Sequence, residues 1–287
     1  MAGNRRTHDR RHGRATLTLG LAILALVALA AQSGAPNPFG QLGAPFRIPV
    51  YNAEPGSYNG GFRFCRISFR TSRSGDGDGW YVDYPRADEN LSIRLAELTK
   101  TQVTNDVEGN PIHLIVRLTD RELFDCPFAM MTEPGGAFLD DEEAKQLRNY
   151  LLKGGFLWVD DFWGSIAWEW WAGQIGKVLP PRDYPIKDIP VDHPMLRTLF
   201  EIKSVPQIPN VGLWLRARAT SERGRDSAEP HMRGIADSTG RVMVLMTHNT
   251  DFGDAYERES LSPDYFHRFS VPGYAIAIDI LLYAMTH

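Results

Sequence analysis

Cysteine is scarce in this chain of 287 residues: Cys65 and Cys126 are the only two. There is no CxxC and no Cys/His spacing of the zinc-binding kind, and two cysteines cannot staple a miniature scaffold. The pair either forms one disulfide or sits as two buried thiols. A basic body is also lacking. Five of the 31 Lys and Arg residues (Arg5, Arg6, Arg10, Arg11 and Arg14) crowd into the first fifteen positions beside one acid, Asp9. Taking five from 31 and one from 35 leaves 26 basic and 34 acidic side chains beyond residue 31, a formal charge of −8. A body of that sign does not neutralise phosphates, which excludes nonspecific nucleic-acid binding.

Long apolar runs are lacking too. The longest near the start, Leu17 to Ala31, falls short of the roughly 20 residues that cross a bilayer. Behind a basic leader and ending in Ala28-Leu29-Ala30, it reads as a signal segment, residues 1–31, cleaved near Ala30. The protein is therefore expected to be exported, periplasmic or extracytoplasmic. An uncleaved anchor is the alternative, and the N-terminal segment is the one membrane contact foreseen. Neither arginine pair is followed by the apolar residues of a twin-arginine signal, so ordinary secretion is expected.

What is present begins after a Gly-, Pro- and Asn-rich tether, residues 32–61. The remainder, 62–287, reads as one α/β domain, and with 43% apolar residues in the chain a full core is within reach. Phe62 to Phe69 alternates as a strand does, and Asp88 to Lys100 spaces Leu91, Leu95 and Leu98 as a helix does. Short strands are expected at Gln102 to Val103 and at His113 to Leu118. Pro127 to Thr132, Phe156 to Asp160 and Arg241 to Thr247 read as buried strands. Between them, Asp140 and Glu143 form a capping box ahead of the stripe Ala144, Leu147, Leu151 and Leu152, which Gly154 and Gly155 end. A helix starting at Ser165 is predicted to turn Trp168, Trp171, Ala172 and Ile175 to the core. Residues 180–210 read as a long loop and 216–233 as an exposed, charged excursion. Gly273 to Met285 is a helix apolar nearly all round, which must be covered. Strands alternating with helices imply a largely parallel sheet with helices on both faces.

Gly154 to Gly164 (GGFLWVDDFWG), Asp192 to Pro194 (DHP), His248 to Tyr256 (HNTDFGDAY) and Trp80 to Thr99 (WYVDYPRADENLSIRLAELT) together resemble the bacterial family called domain of unknown function 4159. The resemblance covers roughly residues 62 to 286. It implies a class I glutamine amidotransferase-like, flavodoxin-like sheet, similar in outline to trehalose-utilisation proteins, and it supplies no reaction. Amidotransferases carry a nucleophilic Cys on the sharp turn after a central strand. Here that turn is Asp160 to Gly164 and neither cysteine is near it, so glutaminase chemistry is disfavoured. Ser165 would be a replacement nucleophile, but a Ser starting a helix is also its natural cap.

In open α/β sheets ligands bind outside the carboxyl ends of the strands. Residues expected at that rim are Asp76 and Asp78, Glu133 with Gly135 and Gly136, Asp160 and Asp161, and His248, Asn249, Asp251 and Asp254. Carboxylates with a His and an Asn suit a divalent cation or sugar hydroxyls, although the same residue types make turns and caps. The catalytic candidates are His248, Asp160, Asp161 and Glu133. The ligand-binding candidates are Trp163, Gly135, Gly136, Asn249, Asp251 and Asp254. Trp170 is a further aromatic candidate, and His193 after Asp192 is either a base held by a carboxylate or a turn. Glu133, Asp160, Asp161, His248 and Asn249 are expected to share one crevice, with a compensating cation, a raised carboxyl pKa or Arg70 offsetting their repulsion.

The function expected is a noncatalytic module binding a small polar ligand or an envelope protein partner. An envelope hydrolase using the rim carboxylates and His248, with or without a metal, is the alternative. Mass spectrometry of envelope fractions is expected to find a chain beginning near Ala31. Recovery of full-length chain alone would establish the anchor instead.

Overall fold

A computed structural model describes residues 51–287. The leader, 1–31, and residues 32–50 of the tether lie outside the described residues. Nine strands are described. They are β1 (Cys65–Ser68), β2 (Arg70–Thr71), β3 (Leu114–Arg117), β4 (Ala129–Thr132), β5 (Ala137–Phe138), β6 (Leu157–Phe162), β7 (Lys187–Asp188), β8 (His231–Ala236) and β9 (Val242–His248). The main helices are α1 (Arg86–Leu98), α2 (Asp141–Leu152), α3 (Gly164–Val178), α4 (Val211–Ala217), α5 (Phe252–Glu257) and α6 (Pro263–Thr286).

Seven strands form one sheet in the order β3-β1-β4-β6-β9-β8-β7. The first five are mutually parallel; β8 and β7 extend the β9 edge by antiparallel pairing. Renumbered by chain order, the parallel part reads 2-1-3-4-5, the flavodoxin-like order, whose switch point lies between β1 and β4. Strands β2 and β5 form a separate antiparallel pair. At the start of the described chain, Asn52 bridges to Ile115, so the end of the segment expected as a tether lies against β3.

Period-two alternation gives the sheet two cores. Phe64, Met130, Trp158 and Leu245 face α1, α4, α5 and α6, while Ile67, Met131, Val159 and Met246 face α2 and α3. The helices thus cover both faces, as the alternating pattern requires. The expected capping box starts α2: Asp140 Oδ1 accepts from Glu143 N, and Glu143 Oε2 accepts from Asp140 N. Helix α6 is the one described helix long and apolar enough to cross a membrane, and its apolar sides are occupied by the core through Ile276, Ile278, Ile280 and Leu281.

Helix α3 departs from expectation at its start. Ser165 is not the cap: its N–H and hydroxyl both donate to Asp226 Oδ2, and Gly164 N donates to Asn249 Oδ1. Residues distant in sequence therefore satisfy the free N–H groups of this helix. Trp171 is buried as expected, while Trp168 is half-buried under the Arg233 guanidinium, 4.2 Å from its ring centroid.

Cys65 and Cys126 form a disulfide with Cα atoms 6.2 Å apart, tying β1 to the approach to β4 across 61 residues of chain. Closing a loop of that length removes denatured-state entropy worth about 4 kcal/mol. A Cys65→Ala, Cys126→Ala double variant is expected to lose about that much stability in chemical denaturation. An unchanged midpoint would show the bond to be energetically idle.

Candidate functional site

On the α1 face, each central strand places a polar side chain at its carboxyl end: Arg66 on β1, Thr132 on β4, Asp160 on β6 and Thr247 on β9. They interlock. Arg66 Nη1 donates to Thr132 Oγ1 at 2.7 Å, Thr247 Oγ1 donates to Asp160 Oδ1 at 2.5 Å, and Trp158 Nε1 donates to Thr247 Oγ1 at 2.8 Å. Asp160 Oδ2 then accepts Phe252 N and Gly253 N at the start of α5. Asp160 is fully buried and fully engaged, so it joins β6 to α5 and does not reach the crevice.

Asp161 goes the other way because the β6–β9 register shifts between Val159 and Phe162. The irregularity puts Asp161 in the left-handed region at φ 58, which re-aims its side chain. Glu133 (φ 52) and Asn249 (φ 60) adopt the same conformation at the ends of β4 and β9, as does Asp83 (φ 62) in the loop before α1. Non-glycine residues held there cost energy and gather where a fold re-aims side chains.

The crevice these turns create has a volume of about 90 Å³ and lies beside the switch point. Asp76, Asp78, Glu133, Asp161 and Glu222 supply carboxylates, Phe162 and Trp163 supply aromatic surface, and Arg223 is the cation. Arg223 Nη2 binds Asp76 at 3.0 Å, Trp163 Nε1 donates to Asp161 Oδ1 at 2.9 Å, and Asp78 N donates to Glu133 Oε2. Burial raises the Glu133 carboxyl to about 7, with Asp78 and Asp76 adding repulsion against the Asp78 hydrogen bond. Burial, then Glu133 and Asp83, push Asp161 well above the usual carboxylate range.

Of the residues expected at the rim, Asp76, Asp78, Glu133, Asp161 and Trp163 therefore come together. His248 does not join them. Its Nε2 meets Gly164 O at 3.0 Å, and its ring lies 4.9 Å from Phe162, 5.2 Å from Trp168 and 5.8 Å from His231. Burial lowers its pKa to about 4. Asn249 is consumed by capping α3 and by donating to Glu229 O at 2.9 Å. Gly135 and Gly136 seat the loop after β2: Asp76 N donates to Gly135 O and Ser72 N to Gly136 O. A Cβ on Gly135 would strike Asp76 O and Ala167, so packing explains that glycine. Trp170 donates to Ala137 O at 2.6 Å, and Arg70 pairs with Asp140 and Glu143 away from the crevice. His193 caps the turn Pro194–Arg197 through Nδ1, which is the turn reading.

Asp251 and Asp254 belong to a deeper group with Asp83, a residue the sequence reading did not single out. Glu222, Arg223 and Asp226 were likewise hidden in the charged excursion, which folds back over the rim. Their only sequence signal was charge density; their placement is a tertiary fact.

Strand order, two helical layers and a crevice at the switch point define an α/β protein of flavodoxin-like architecture. The chain belongs to the family described as Domain of unknown function (DUF4159), whose model matches residues 64–285. No curated protein matches it.

The raised carboxyls fix a sign for pH dependence. Glu133 and Asp160 both titrate near 7, burial being the main cause, against ordinary values of 4.5 and 3.8. The folded chain thus holds more protons than the unfolded one between about pH 4 and 7, and stability falls as pH rises through that window. His248 opposes: its contribution is complete above pH 6.5 and is lost as pH falls toward 4. The carboxyls raised by burial, with Asp83, Asp161, Asp251 and Asp254 beside these two, outnumber the four imidazoles that burial lowers (His113, His193, His231 and His248), so the unfolding temperature is expected to fall between pH 5 and 8, with a smaller slope in Glu133→Gln. A rising profile would overturn these assignments.

Proposed function

We propose that this protein is an exported, noncatalytic binding module whose crevice at the ends of β4 and β6 takes a small polar ligand. The observation that carries the reading is the composition of the crevice: five carboxylates, one arginine already paired with Asp76, and an aromatic wall. Such a lining accepts hydrogen bonds and positive charge, which favours an ammonium or hydroxyl group. A volume of about 90 Å³ admits one such group, with the rest of the ligand at the mouth.

The hydrolase alternative draws support from Glu133, whose carboxyl near 7 suits proton transfer at neutral pH. It is the weaker reading, because the residues lining the crevice include no Ser, Thr, Cys or His and His248 is engaged elsewhere.

Glucosamine, which carries an ammonium and several hydroxyls, tests the proposal in the presence of a chelator, with glucose as the neutral control. At 100-fold excess over Kd a ligand specific for the folded state adds about 2.7 kcal/mol, or about 5–10 °C in a domain of this size. Glucosamine is expected to give a shift of that order and glucose a smaller one. Asp161→Asn and Glu133→Gln are each expected to weaken binding tenfold or more. Equal responses to the two sugars, or a glucosamine response that survives both substitutions, would defeat the proposal.

A further inference from the structure

A second carboxylate group is more deeply buried than the crevice. Asp251 caps α5, Asp254 lies in its first turn, and Asp83 comes from the loop before α1. One ligand oxygen from each lies within 4.8 Å of the others, and none of the three residues is more than 8% exposed. Carboxylates that converge this closely hold a proton or a cation between them.

The nearby hydrogen-bond donors are committed. Phe252 N and Gly253 N serve Asp160 Oδ2, Asp254 N serves Asp251 Oδ1, and Val211 N serves Asp254 Oδ2. Asp83 Oδ2 is left buried with no donor, and the polar groups approaching the Asp83 carboxylate are the carboxyls of Asp254 and Glu257. Arg258 gives partial relief, 3.6 Å from Asp254 Oδ1, but its Nε is drawn to Glu257 at 2.7 Å. The backbone is shaped to admit the unpartnered oxygen, because a Cβ on Gly253 would overlap Asp83 Oδ2.

We propose that Asp83, Asp251 and Asp254 form a binding site for one hard divalent cation of calcium's size, distinct from the crevice. An all-oxygen set suits calcium or magnesium better than zinc or copper. A buried set of protein carboxylates favours calcium over magnesium, which sheds its waters reluctantly, and oxygens all within 4.8 Å of one another can share one calcium, whose bonds of about 2.3–2.6 Å span up to roughly 5.2 Å between opposed ligands. The ion supplies the positive partner that Asp83 Oδ2 lacks and ties the loop before α1 to α5.

Calcium chloride titrated into the chelator-treated full chain tests the site by calorimetry and thermal unfolding. One ion per chain is expected, with a rise of about 5–10 °C at 100-fold excess over Kd and a smaller response to magnesium. Asp83→Asn is expected to weaken calcium binding at least tenfold while its metal-free form unfolds no lower than the parent, since a buried charge has been removed. Glu133→Gln, which alters the crevice, is expected to bind calcium like the parent. Absence of any calcium response in the parent chain overturns the proposal whatever the variants do. A response kept by Asp83→Asn but lost in Glu133→Gln overturns it too, by moving the ion to the crevice. Glucosamine binding is measured under chelation, so failure of either site leaves the other readable.

Discussion

The rim of this fold is organised around one buried guanidinium. Arg66, at 0% exposure, grips the Asp88 carboxylate through Nε and Nη2 and spends Nη1 on Trp80 O, Val82 O and Thr132 Oγ1. Desolvation works against its charge, yet Asp88, Asp83 and the hydrogen bonds outweigh it and raise its pKa. A buried pair is a poor source of net stability, but removing one partner costs about 3–5 kcal/mol because the other is left charged in the core. The pair therefore acts as a fixed constraint. It binds α1 to β1 and β4 and pins the Trp80–Val82 backbone, so that Asp83 leaves that segment toward α5.

From that anchor, two neighbouring aspartates receive opposite tasks. Without the register shift in β6, strand alternation would send Asp160 and Asp161 to opposite faces and bury both flat against helices. The shift and the left-handed backbone at Asp161 lift its side chain to the strand end, while Asp160 stays in the polar layer and holds α5 by two N–H groups. Similar left-handed turns at Glu133 and Asn249 diverge in outcome. Glu133 opens into the crevice, whereas Asn249 faces the start of α3 and is used up as its cap. Backbone conformation and local donors, more than residue type, separate ligand-facing groups from structural ones.

Sequence reading reached the local features and stopped at the non-local ones. Strand and helix periods, the Asp140–Glu143 box and the buried apolar runs were legible because each depends on residues a few positions apart. The acidic rim at the carboxyl ends followed from topology alone. The register shift was not legible, and with it went the different fates of Asp160 and Asp161. Nor was the return of residues 222–226 over the rim, which brings Glu222 and Arg223 to the crevice and lets Asp226 cap α3 from 61 positions away. His248 was misplaced for a related reason: position at a strand end says nothing about which face the ring takes, and the Phe162–Trp168 surface captured it.

The costs in the described structure are unevenly distributed. Both apolar cores follow the ordinary rules of alternation and coverage, whereas four of the five left-handed non-glycine residues (Asp83, Glu133, Asp161 and Asn249), the crowded carboxylates and the unpartnered Asp83 Oδ2 lie at one end of the sheet. Acidity that serves only solubility belongs on the surface, where water screens it. Buried carboxylates repel, must hold protons against their ordinary pKa, and lower stability as pH rises. Sequences depart from local consistency in this way chiefly where a function offsets the loss. The direction of the departure is informative, because carboxylates are crowded there and the cations Arg66, Arg223 and Arg258 are already paired. A positive charge or a donor brought from outside the chain is what the proposed ligand and the proposed ion would each supply at this end of the sheet.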